Sequence, residues 1–71
     1  MSNIYSKDYK EFLAKLRRAR KEAGLTQMRV SKILNKQQSF VSKCESGERR
    51  VDIVDLKKFA KIYHKPLSYF G

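Results

Sequence analysis

A chain of 71 residues is expected to form one domain, over residues 1–71, whose single small core leaves little room for a deep catalytic pocket. Its 17 Lys and Arg against 7 Asp and Glu give a net charge of +10, which points to a polyanionic partner without separating DNA, RNA and an acidic membrane. One cysteine, Cys44, excludes an intrachain disulfide and a cysteine metal framework, and fits a reducing cytoplasm.

Apolar residues recur at helical three- and four-residue steps, and strand alternation does not appear. Residues 1–10 are too polar for a signal peptide, Met1 fits a natural start, and no run approaches the ~18 apolar residues of a membrane span. The first helix is expected over about residues 7–23. Tyr9, Phe12, Leu13, Leu16, Ala19 and Ala23 make its apolar face, with Lys10, Lys15, Arg17, Arg18 and Lys21 mostly off it. Asp8 with Glu11 offers a capping box and Ser6 a rival cap, while Gly24 suits a left-handed stop. Thr26 caps a second helix over residues 27–34 that turns Val30, Ile33 and Leu34 inward, and Asn35 can take the left-handed turn after it. A third helix starts near Gln37 or Gln38 and runs to about Ser46, with Val41 and Cys44 toward the core and Gly47 as its stop. Past a charged loop at residues 48–51, Asp52 caps a fourth helix whose stripe is Ile53, Leu56, Phe59, Ala60 and Tyr63. Lys57, Lys58 and Lys61 fall on its wet side, and His64 caps its C-terminal end. Pro66 then opens a last short turn carrying Leu67 and Phe70. The fold class is all-α: five short helices and no sheet.

Two short helices joined by a few residues are the organisation of a helix-turn-helix, here spanning residues 26–46, whose second helix enters the major groove of duplex DNA. The exposed face at the start of that second helix reads Gln38, Ser39, Phe40, Ser42 and Lys43. Gln donates and accepts together at adenine, Lys reaches the guanine acceptors, and Ser serves either. Phe40 is the odd member of the set. Its ring suits a thymine methyl or a sugar edge, and equally suits packing on its own helix or a dimer contact.

Residues 13–70 resemble the Cro/C1-type (XRE) helix-turn-helix family. The resemblance is carried by Leu16-Arg17-Arg18-Ala19-Arg20 and Gly24 in the first helix and by Leu25-Thr26-Gln27, Val30-Ser31 and Leu34 in the second. It continues through Gln38-Ser39-Phe40-Val41-Ser42-Lys43-Cys44-Glu45-Ser46-Gly47 in the third and Leu56-Lys57-Lys58-Phe59-Ala60 in the fourth. It implies a compact five-helix, lambda-repressor-like fold and a transcriptional regulator or repressor acting as a homodimer on a double-stranded DNA operator. It implies that Gln27 bonds a phosphate, that Gln38 and Ser39 read base edges, and that Ser42 and Lys43 read bases or adjacent phosphates. Arg49 and Arg50 follow the backbone, Lys36 adds a cation beside that face, and Gln37 is grouped with these phosphate contacts. Arg20 and Glu45 match a partly buried ion pair between the first helix and the end of the third. The chain departs from the family with Asn35 in place of a usual Gly and Lys36 in place of an apolar residue. It also lacks the Pro often found near Val51 and the Gly often found near His64.

Other uses of the same residues are weaker. Ser39, Ser42 and Ser46 have one histidine in the whole chain to serve them, and there is no Gly-rich phosphate loop, so no enzyme, cofactor or metal site is expected. Cys44 reads as an inert small hydrophobe. Tyr5, Tyr9, Tyr63 and Tyr69 lack a surrounding RNA-recognition motif and are assigned to the core or a dimer seam. The seam is placed at Tyr63, Leu67, Tyr69 and Phe70. Two other functions fit the same sequence: a protein-interaction module on this fold, such as an antitoxin or co-regulator, and a basic RNA-binding domain.

Overall fold

The computed structural model describes residues 6–71, so Tyr5 lies outside the described residues. Four α-helices follow one another and a 3-10 turn closes the chain: α1 Lys7–Glu22, α2 Gln27–Ile33, α3 Phe40–Ser46, α4 Ile53–Tyr63 and the turn Leu67–Phe70. No strand occurs among the described residues. The all-α class is as expected, with the fifth helix reduced to the single 3-10 turn.

Side-chain caps set three of the helix starts. Ser6 Oγ accepts from the Tyr9 amide at 3.1 Å, which selects Ser6 over the Asp8–Glu11 box. Thr26 Oγ1 accepts from Arg29 N at 3.1 Å, and Asp52 Oδ1 from Asp55 N at 2.8 Å. Each satisfies an amide that the first helical turn leaves without a backbone partner. Three helix ends share another device. Gly24, Asn35 and His64 are left-handed, with φ of 73°, 58° and 58°. In each case the next amide reaches back five residues: Leu25 N to Arg20 O, Lys36 N to Ser31 O and Lys65 N to Ala60 O, at 3.2, 2.9 and 3.0 Å. This is the Schellman pattern, and it turns the chain sharply without leaving carbonyls bare.

The core is drawn from every element. Leu16 and Ala19 of α1, Val30 of α2, and Phe40, Val41 and Cys44 of α3 meet Phe59, Ala60 and Tyr63 of α4 and Phe70 of the closing turn. Phe40, Phe59 and Tyr63 stack in sequence, with centroids 6.3 and 5.8 Å apart. Phe70 meets Phe12 and Tyr69 edge-on. Burial of such side chains stabilises by about 1.5–3 kcal/mol each. Ser31 is a fully buried polar side chain in this core; its Oγ accepts from Val41 N at 3.2 Å and so ties α2 to α3.

Three expectations need correction. Ile33 and Ile53, assigned inward by spacing, are 50% and 58% exposed; each is the terminal residue of its helix, where periodicity constrains facing least. Tyr63, which the spacing puts on the α4 stripe, is buried there as expected, but Tyr63 and Phe70 are thereby taken from the dimer seam to which they were also assigned. A small domain engages nearly all its large aromatics in its own core. The third helix begins at Phe40, later than Gln37 or Gln38. After the left-handed Asn35 the chain needs a further turn, closed by Phe40 N to Gln37 O at 3.0 Å, before helical bonding resumes.

Two outcomes follow for stability and reactivity. Gly47 has φ +86°, and a Cβ there would meet Leu13 Cδ1 at 3.2 Å, whereas at Gly24, φ +73°, nothing lies within 4 Å. In urea melts Gly24→Ala should cost about 1 kcal/mol from backbone strain alone, and Gly47→Ala about 2 kcal/mol or more. The buried Cys44 thiol is pushed up to about 11 by desolvation, with Asp55 adding to the shift. It should resist a thiol reagent at pH 8 and react promptly once unfolded in urea. Because the unfolded thiol ionises near 8.5 and the folded one later, this group removes stability as pH rises through that interval.

Candidate nucleic-acid interface

The site is assembled around Glu45, the penultimate residue of α3, which is only 1% exposed. Arg20 of α1 donates from Nε to Glu45 Oε2 at 2.7 Å and from Nη2 to Oε1 at 3.2 Å. Its remaining terminal nitrogen donates to Leu25 O at 2.9 Å, in the link to α2. Gln27, the first residue of α2, donates from Nε2 to Glu45 Oε1 at 2.9 Å, and Arg17 Nη2 donates to the Glu45 carbonyl at 3.3 Å. The hydrogen bonds from Arg20 to Glu45, with the charge of that carboxylate, raise the Arg20 pKa above its ordinary value against the opposing effect of burial. The set joins α1, the α1–α2 link, α2 and α3 at one carboxylate, so it fixes the angle at which α3 leaves the core.

With α3 set, a recess of about 260 Å³ opens at its start, lined by Lys36, Gln37, Ser39, Phe40, Lys43 and Arg49. Lys36 and Gln37 come from the turn before α3 and Arg49 from the loop after it. No carboxylate lines the recess. Lys36 Nζ lies 5.4 Å and Arg49 Cζ 5.1 Å from the Phe40 ring centroid, within cation–π range. The Arg49 backbone is held by its amide bonding Lys43 O at 3.0 Å.

The sequence-selected residues are therefore distributed in three ways. Lys36, Gln37, Ser39, Lys43 and Arg49 are brought together. Gln38 and Ser42 are exposed on the same short segment outside the lining, and Gln38 and Ser39 sit on the turn before α3 rather than on the helix. Arg50 turns away from Arg49 to lie over the Tyr9 ring at 5.1 Å. Phe40, read as part of a wet face, is 8% exposed and stacked on Phe59, so its ring belongs to the core and only borders the recess. Gln27, read as a phosphate contact, has one N–H engaged by Glu45, and its amide nitrogen carries a second.

Tyr9 was legible in the sequence as an apolar-face residue of the first helix, for the core or a dimer seam. Its hydroxyl accepts from Val51 N at 3.2 Å, pinning the loop that carries Arg49 and Arg50 to α1. Nothing in local spacing signals a contact over 42 residues. No helix among the described residues is long and apolar enough to cross a membrane.

A short helix pair locked by a buried carboxylate, with basic and polar side chains gathered at the turn, the second helix and the loop after it, defines a helix-turn-helix. The family described as Helix-turn-helix matches residues 16–70, from the middle of α1 through the closing turn, and the chain belongs to it. It is a DNA-binding helix-turn-helix protein of the Cro/C1 (XRE) type with a lambda-repressor-like fold. No curated protein and no solved structure matches the chain significantly.

Removing Glu45 alone strands a guanidinium that is 9% exposed. Glu45→Ala should cost about 3–5 kcal/mol in urea melts, whereas Arg20→Met with Glu45→Leu should cost far less. Both measurements concern the frame and remove no group that faces the recess.

Proposed function

We propose that this chain binds a specific duplex DNA operator as a cytoplasmic transcriptional repressor. The gathering of Lys36, Gln37, Ser39, Lys43 and Arg49 around one acid-free recess carries the reading. Gln38, Ser39, Ser42 and Lys43 face base edges in the major groove, where Gln suits adenine and Lys suits guanine. Lys36, Gln37, Arg49, Arg50 and the second amide hydrogen of Gln27 hold phosphates and fix register. Phe40 is moved out of the base-reading set because its ring is in the core. Residues 1–71 act as one DNA-binding domain.

One domain of this size has a small footprint on DNA, so the protein acts as a homodimer on half-sites about one helical turn apart. With Tyr63 and Phe70 committed to the core, the seam falls to Leu67 and Tyr69, or to the exposed Ile53 and Val54 at the start of α4. A second reading has an observation of its own. Met28, Ile33, Ile53, Val54 and Leu67 are exposed apolar side chains, which suit contact with another protein, as in an antitoxin or co-regulator.

Selection from a random duplex pool tests the operator reading. A motif of two half-sites should emerge, with Gln38→Ala and Lys43→Ala each relaxing a defined position at a cost of about 1–3 kcal/mol. Binding should weaken with salt at a slope of about 0.9 per phosphate held. Sequence-blind binding in this selection, or preference for structured RNA in competition, would overturn the reading. Sedimentation with and without the selected duplex reports the dimer.

A further inference from the structure

We infer that Phe40 is a positioning residue whose ring holds Lys36 and Arg49 at the mouth of the recess, ready to clamp one DNA phosphate between them. The inference rests on the operator reading and assigns part of its affinity to a residue that touches no DNA. Phe40 is fixed from behind, since its ring stacks on Phe59, which stacks on Tyr63. Being 8% exposed, it cannot reach a base edge itself. What it offers outward is the electron-rich ring, and two cations from different segments converge on it at 5.4 and 5.1 Å.

Two positive groups drawn to one ring repel each other, and no carboxylate lines the recess to neutralise them. An anion seated between them relieves that repulsion. Lys and Arg each have long stems whose rotamer freedom is lost when they grip a phosphate. Attraction to a fixed ring removes part of that loss before the anion arrives, which is preorganisation. Leucine in place of Phe40 would fill much of the same space and provide no such face.

Substitution of Phe40 by mono-, di- and trifluorophenylalanine weakens the ring's negative face while nearly keeping its shape. The probe is a mixed-sequence duplex at low salt, because a phosphate clamp is indifferent to sequence. Affinity should fall stepwise along the series, reaching a loss of about three- to fivefold, with the helical fold retained and its melting temperature lowered by only several degrees. Phe40→Tyr should bind like the unsubstituted chain. In a chain carrying Lys36→Gln and Arg49→Gln the series should be flat. A flat series in the native background, or the same decline in the doubly substituted chain, overturns the proposal. Upfield ring-current shifts of the Lys36 and Arg49 side-chain methylenes in the free protein are the second readout, and ordinary shifts overturn it without reference to DNA. Failure of the unsubstituted chain to bind any duplex is visible before a variant is made and overturns the operator reading itself.

Discussion

Burying a carboxylate away from water is strongly unfavourable unless its lone pairs are met, and the Glu45 carboxylate accepts three hydrogen bonds, two from Arg20 and one from Gln27, while Arg17 holds its backbone carbonyl. Those bonds explain the architecture. One donor residue comes from the last turns of α1, one opens α2, and the acceptor closes α3. Arg20 is also bonded to the link between α1 and α2. If any of the three helices rotated or slid, a charged or polar group would be left unpaired in a nearly dry site. Apolar packing alone is more forgiving, because oily side chains tolerate slippage that hydrogen bonds do not. The ion pair adds little to stability over a well-packed apolar alternative, and its use here is to allow one arrangement of three short helices. A seven-residue helix such as α3 has little intrinsic persistence, so its direction has to be imposed from outside.

The way the chain reverses between helices follows from the same economy of length. Gly24, Asn35 and His64 each end a helix in the left-handed region and return the next amide to a carbonyl five residues back. Glycine reaches that region without strain, and asparagine reaches it more readily than most residues. Tight reversal leaves only residues 34–39 between α2 and α3, and it is this turn, not the helix itself, that carries Gln38 and Ser39. The loop after α3 is held differently, by the hydroxyl of Tyr9 on Val51 N. Arg49 and Arg50 then diverge toward separate aromatic rings, so adjacent basic residues occupy distinct places.

How far this was legible in the sequence depends on whether the determining contact is local. Thr26 and Asp52 cap where they were expected to, because a cap acts over three residues. The inward stripes of α1 and α4 follow from helical spacing through their middles and fail at Ile53, where one residue at a helix end has no turn before it. Ile33 fails as the last residue of α2, where no helical turn follows it. The late start of α3 depends on how many residues the turn consumes, which polarity does not encode. Phe40 was misplaced because its neighbours Gln38, Ser39, Ser42 and Lys43 are polar, and the face was read from them. Its partner is Phe59, on α4, and no spacing rule links the two. Tyr63 and Phe70 were offered to a second copy as apolar residues left over near the C-terminal end, Tyr63 also to the α4 stripe, while in the fold both complete the core that the motif needs.

The charge ties frame and interface together. Glu45 engages Arg20 and Arg17, and Glu22 engages Lys65 at 2.7 Å, so two of the 7 acidic residues already serve cations that do not line the recess. A net charge of +10 on 71 residues leaves the remaining cations to repel one another across a small surface. Added salt screens that repulsion and so favours the free fold. The same salt opposes DNA binding, because the gain from releasing condensed counterions shrinks as their bulk concentration rises. Duplex DNA relieves the repulsion in a different way, by placing negative charge along the cationic face, and by mass action whatever binds only the folded chain stabilises it. A marginally stable domain that is too positive for its size is therefore matched to the polyanion it binds: the excess charge that weakens it alone draws it to DNA.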